Sequence, residues 1–223
     1  MGTEKYPVEN DYSQYLSAHG GMSNAYTAEE HTNYYFEVTA NNLEGALDRF
    51  AQFFIAPLFS ESGTEREMNA VDSEHKKNLQ SDSWRVFQLE KQLSNPNHVY
   101  RKFGTGNLET LGVNATEKGY DIRTKLIDFH SKLYSSNIMT VVILGKEPLE
   151  ILTNWAVDKF SFVLNKDIDF PRFSGKPLTE KELGVFINIK PVKDIRHLEI
   201  SFPIPETRKW YKYQPCHYLS HLL

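Results

Sequence analysis

The stretch SNAYTAEEHTNYYFEVTANNLEGALDRFAQFF, residues 23–54, decides the fold class. From His31 to Thr39, Tyr34, Phe36 and Val38 alternate with Asn33, Tyr35 and Glu37, the period-two pattern of a half-buried strand. Ser23–Thr27 reads as a neighbouring strand, joined to it by the polar turn Ala28-Glu29-Glu30. The period then changes. Leu43, Ala46, Leu47, Phe50 and Phe54 recur at helical spacing and give one apolar face. Asn41 is expected as the N-cap, with Glu44 three residues on completing a capping box, and Pro57 marks the end.

Downstream, Ser62-Gly63-Thr64-Glu65 restarts the chain into a helical stretch that runs to about Leu93, with Thr64 and Glu67 as a second capping box. Unbroken, that helix would reach roughly 45 Å. Asn95-Pro96-Asn97 ends it, and Phe103–Asn107 is a loop. A helix over Lys118–Tyr134, a β-branched strand over Ile138–Leu144 and a helix over Glu147–Leu164 follow. Adjacent strands with layered helices point to an α+β fold, a two-layer sheet-and-helix domain. The expected organisation is a first domain over 1–168, a Pro-, Gly- and charge-rich linker over 169–182, and the opening of a second α+β domain over 183–223. In that last part Val185–Ile189 and Leu198–Phe202 read as strands, and His217–Leu223 as the start of a helix.

Composition narrows the function classes. The 223 residues carry a net charge of -4, which disfavours a nucleic-acid binder working by charge. A 40% hydrophobic and 13% aromatic content excludes a disordered chain. The apolar runs near Phe53–Phe59 and Ile138–Gly145 are too short to span a bilayer, so no membrane partner is expected. The single cysteine, Cys216, cannot form an internal disulfide, so a reducing, cytoplasmic setting is expected.

Two features could carry chemistry. Glu67 and Glu74 are seven residues apart, which puts both carboxylates on one helix face; the pattern alone favours the solvated face of a charged helix over a site. His217 and His221 have metal-ligand spacing, but neither His-Glu-x-x-His nor His-x-x-Glu-His occurs, and both read as packing or hydrogen-bonding residues. No Gly-x-Ser-x-Gly elbow supports a serine hydrolase.

Residue identity goes further. Gly2–Pro7, Glu9–Ser13, Ser23–Thr27, His31–Phe36, Leu43–Phe54, Asn69–His75, Trp84-Arg85, Phe103–Asn107, Tyr134–Asn137, Pro203–Pro205 and His217–Leu219 closely resemble the pitrilysin–insulysin family of zinc metallopeptidases, over essentially the whole chain. The resemblance implies a zinc metalloendopeptidase that degrades short peptides, insulin-like or amyloid-type, with one zinc ion as cofactor. Family members hold that ion through two histidines of an inverted His-x-x-Glu-His motif and a glutamate on a later helix. That glutamate matches Glu74, and a supporting glutamate matches Glu67 in a catalytic role. The family docks peptide substrate as an added strand, and the matching segment is Ser23, Asn24, Ala25, Tyr26 and Thr27. Trp84 and Phe87 match positions near the catalytic cavity.

The departure is as informative. Counting back from Glu74 places the inverted motif before Met1, so the domain is expected to be truncated at both ends. The implied partners are peptide substrates and the rest of the same polypeptide, its C-terminal half, with a homo-oligomer allowed. The alternative is a catalytically inactive family member with a binding or structural role.

Overall fold

The structure, a computed structural model, describes residues 2–222. Its sheet is a two-stranded antiparallel hairpin, β1 (Met22–Thr27) and β2 (Thr32–Glu37), with Ser23 opposite Phe36, Ala25 opposite Tyr34 and Thr27 opposite Thr32. Helix α1 (Asp11–Ala18) leads into β1 through Gly20, whose φ of 65° is open to glycine at no steric cost. Gly21 then lies against β2: a Cβ there would stand 2.3 Å from the Glu37 carbonyl oxygen.

Helix α2 (Leu43–Ile55) carries the apolar stripe read from the sequence, and buries Ala46, Leu47, Ala51 and Phe54. Above that stripe the rings interlock. Phe50 meets Phe36 of β2 at 5.0 Å and Phe54 at 5.2 Å, while Tyr12 of α1 meets Phe53 at 5.0 Å. Helix α7 (Leu149–Phe160) closes the other side of α2 with buried Leu152. The result is α+β: a hairpin with helices layered on one side of it.

The N-cap of α2 differs from expectation. A 3₁₀ turn, Ala40–Asn42, precedes it, and Asn42 rather than Asn41 holds the cap position. Neither side chain caps: Asn42 donates to the Thr39 hydroxyl at 2.9 Å, and Asn41 accepts from Lys146. Helix α3 (Glu61–Asn78) likewise starts earlier than Thr64. Ser60 caps it, accepting the Gly63 N–H at 3.2 Å, and the Thr64 hydroxyl bonds back to the Ser60 carbonyl at 3.0 Å, so Thr64 and Glu67 form no capping box.

The long helix is two helices. After Asn78 the chain turns through Leu79–Ser81, and α4 runs Asp82–Leu93. Asp82 in the first turn of α4 accepts from the backbone N–H of Val192 at 2.8 Å and of Lys193 at 3.1 Å. The helix expected over Lys118–Tyr134 is α6 (Ile122–Leu133), capped by Asp121, and a separate short helix α5 (Asn114–Glu117) precedes it. At the end of the chain α8 spans Pro215–Leu222.

The strands expected at Ile138–Leu144, Val185–Ile189 and Leu198–Phe202 do not form. A strand is defined by a ladder, and among the described residues none of these segments has a neighbour to pair with. Their apolar side chains stay exposed: Val142 87%, Leu144 92%, Phe186 80% and Phe202 79%. His217 and His221 on α8 are exposed too, and do not pack as expected. The total accessible surface is 17036 Å². A compact monomer of this mass exposes about 10,500 Å².

Candidate active-site wall and peptide-docking edge

The hairpin fixes which backbone groups face outward. The loop Glu29-Glu30 is closed by the Ala28 N–H bonding to the His31 carbonyl at 2.8 Å. Antiparallel pairs alternate between bonded and non-bonded, so from that closure Tyr26, Asn24 and Met22 bond to β2, and Thr27, Ala25 and Ser23 do not. A second observation agrees: the Ala25 N–H is taken by the Asn24 side-chain oxygen at 2.8 Å. Among the described residues β1 pairs only with β2. The opposite edge therefore carries the N–H and C=O groups of Ser23, Ala25 and Thr27, the Ala25 N–H held by the neighbouring Asn24 side chain, with every side chain of the strand exposed.

The hairpin also borders a cavity of about 600 Å³, which Tyr34 and Tyr35 of β2 line along with β1. Ser23, Asn24 and Ala25 line it, α1 and α2 contribute Tyr12, Phe50 and Phe54, and α3 contributes Glu67. Of the residues singled out in the sequence, the fold brings together these three strand residues and Glu67. Tyr26, Thr27, Glu74, Trp84 and Phe87 do not line it. Glu74 is exposed on α3, and Trp84 and Phe87 pair edge to face on α4 at 6.0 Å.

Sequence reasoning missed the far wall, made by Phe129, His130 and Tyr134 of α6 and its C-cap. Tyr134 hydrogen-bonds to Tyr34 of β2, stacks on His130 at 4.7 Å and lies against Phe54. Burial, with Tyr34 as neighbour, pushes the Tyr134 phenol well above its usual range. Burial also holds the His130 imidazole below its ordinary value, and the Lys166 ammonium adds to the effect. The signal available in the sequence was the i,i+4 pair His130 and Tyr134; nothing local connected it to residue 34.

Helix α3 is braced from the other side. Asp72, buried, accepts the Leu108 N–H at 3.0 Å and pairs with Lys76 at 2.6 Å. Lys76 first, and then the Leu108 N–H, hold its carboxyl below the usual carboxylate range. Phe103 meets His75 edge to face at 5.3 Å, and buried Gly106 leaves a Cβ only 3.1 Å from Val71. The loop 103–108 thus grips α3 on both sides of Glu74.

The carboxylates of Glu67 and Glu74 make no hydrogen bond or ion pair among the described residues. That suits a metal ligand. Yet no three His, Cys, Asp or Glu side chains converge among the described residues. Tight zinc sites use three or four protein ligands. The donors present fit a share of a zinc site, not a whole one.

Residues 1–97 match the family model described as insulinase, peptidase family M16, and residues 121–223 match that of the peptidase M16 inactive domain. The chain is 56% identical over all 223 residues to the insulin-degrading enzyme of Homo sapiens, and covers 22% of that protein. It is 49% identical over the same span to the A-factor-processing enzyme of Saccharomyces cerevisiae, again covering 22%. The crystal structure of pitrilysin superposes with a TM-score of 0.77 at 38% identity, over 82% of this chain and 19% of the other. The chain thus spans less than a quarter of the length of the curated relatives it matches. With two family models that together span most of the chain, and a fold shared with pitrilysin, the chain belongs to the insulinase family, peptidase family M16, the pitrilysin–insulysin metallopeptidases.

Proposed function

We propose that this chain supplies the docking edge and one metal ligand of a zinc metalloendopeptidase that degrades short, insulin-like or amyloid-type peptides. The observation that carries the reading is the shared cavity: Ser23, Asn24 and Ala25, of a strand whose second edge has no ladder partner among the described residues, line it together with Glu67. An extended peptide satisfies such an edge through its own N–H and C=O groups, which selects for extended backbone rather than for one side chain. Tyr26 and Thr27 continue the same edge, and the aromatic walls exclude water around a bound strand. Trp84 and Phe87 on α4 offer further apolar surface to substrate.

Bound zinc supplies Lewis acidity and a bound water of lowered pKa. This chain's part is Glu74, whose exposed carboxylate is open to a metal, on a helix that the loop 103–108 braces at Val71, Asp72 and His75. Glu67, one face and two turns away on α3, supports the site and faces the peptide. The remaining ligands are expected from a His-x-x-Glu-His segment of the same polypeptide, and the chain alone is expected to be inactive. The large exposed apolar surface of residues 138–144 and 185–204 supports the rest of that polypeptide as its partner. Among the described residues no helix is long and apolar enough to cross a membrane. The lone Cys216 favours a reducing, cytoplasmic setting.

The test is zinc content in a polypeptide extended upstream to include such a segment. Glu74→Gln is expected to remove most of the metal. Wild-type zinc content in that variant would refute the assignment. A second reading, a non-catalytic family member that still binds peptide, draws on the absence of converging ligands among the described residues. It predicts peptide binding with no zinc and no turnover in the extended polypeptide.

A further inference from the structure

Lys91, in the last turn of α4, is 2% exposed. A buried ammonium is costly unless it is paired. Its Nζ donates to both carboxylate oxygens of Glu29, at 2.9 and 3.0 Å. It also lies 4.7 Å from the ring centre of Tyr100 and 5.4 Å from that of Phe87. Gly104 closes the cage: a Cβ there would stand 3.4 Å from Nζ.

Glu29 belongs to the two-residue loop at the tip of the β1–β2 hairpin. The near half of the hairpin is anchored by packing, through Phe36 on Tyr12 and Phe50, and Tyr34 on Phe54. The far half has no such anchor. Two ion pairs reach it from outside the hairpin among the described residues, Lys91–Glu29 and Arg208–Glu30 at 3.1 Å. The second joins two side chains that are 71% and 52% exposed, where solvent leaves an ion pair little strength. The first has its cation buried.

We propose that Lys91 is a positioning residue for the peptide-docking edge: its caged ammonium pins the tip of the hairpin to α4 and so fixes the outward groups of Ala25 and Thr27. This rests on the reading that β1 docks peptide. The same ammonium sits one turn from Phe87, so it sets the hairpin and that aromatic side chain relative to each other. Strand addition needs consecutive N–H and C=O groups in register, and a tip free to swing would lose the last of them first.

The experiment is a double-mutant cycle on the full chain with Lys91→Met and Glu29→Gln, alongside Lys91→Arg. Two quantities are read: amide exchange across residues 22–37, and the affinity for an uncharged extended threonine-rich peptide. Each single variant is expected to speed exchange of the Tyr26 and Asn33 amides by roughly tenfold or more, with α2 amides unchanged. Peptide affinity should fall in step. The double variant should be no worse than the poorer single one, and Lys91→Arg should stay close to wild type. Equal acceleration in α2 would reduce Lys91 to a general structural residue and overturn the proposal. So would hairpin exchange that stays at the wild-type rate. If Lys91→Met does not fold, Glu29→Gln, in an exposed loop, gives the same comparison. Binding of no peptide by the wild-type chain overturns the docking reading itself, and the exchange cycle then separates that failure from a failure of the tie.

Discussion

Phe54→Ala removes one of the rings that join the helical layer to the hairpin. Phe54 is 8% exposed and touches Tyr34 of β2 at 5.4 Å, Phe50 at 5.2 Å and Tyr134 at 6.4 Å. Truncating a core phenylalanine to alanine costs about 3–5 kcal/mol. Phe54 borders a cavity, so it has fewer packing partners to lose on that side, and the expected cost is near the low end, about 3 kcal/mol. Its aromatic contacts contribute about 0.5–1.5 kcal/mol each within that figure. For a chain of this length the melting temperature should fall by roughly 6–12 °C. The assay is urea unfolding followed by near-ultraviolet circular dichroism, with Phe129→Ala as control. Phe129 lines the same cavity but is 53% exposed, so its loss should cost under about 1 kcal/mol. Equal losses for the two variants would refute the claim that the hairpin is held by a ring layer centred on Phe54.

Three further outcomes are expected. Ala25→Pro fixes φ and removes an outward N–H without breaking a ladder bond to β2, so it should abolish peptide binding while circular dichroism stays unchanged; retained affinity would show that peptide docks elsewhere. In the zinc-loaded, extended polypeptide, Glu67→Gln should keep the metal and lower activity by roughly 10–100-fold, as loss of a supporting partner does; loss of zinc would make Glu67 itself a ligand. His130 is held below its ordinary value by burial, so between that lowered value and about 6.5 the unfolded chain binds more protons than the folded one. Stability should therefore rise with pH through that window and level off above about 6.5, and His130→Phe should flatten the profile measured by urea unfolding.

The parts of the fold legible in the sequence are those whose partners lie close by. Hairpin and α2 sit within residues 22–55, and their periods of two and 3.6 each report one buried face. The break between α3 and α4 was not legible, because Asp82 is engaged by the backbone of Val192 and Lys193, far along the chain. Ile138–Leu144 has the composition of a strand and lacks a neighbour among the described residues; β-propensity describes a fit to a pleated surface, and cannot supply that surface. At the site, pattern marked the strand Ser23–Thr27 and the helix-face position of Glu67, resemblance supplied the roles expected of them, and their common cavity came only from the fold. His130 and Tyr134 stayed hidden because their roles depend on Tyr34 and Phe54, which no local pattern links to α6.

The most direct test of the docking edge is residue-resolved amide exchange of this chain with and without an extended peptide. The ladder leaves Ser23, Ala25 and Thr27 facing outward and bonds Asn24 and Tyr26 to β2. The account predicts new protection at Ser23, Ala25 and Thr27, with Asn24 and Tyr26 little changed, a period of two along one strand. Protection absent from β1, or uniform along it, would contradict strand addition at this edge.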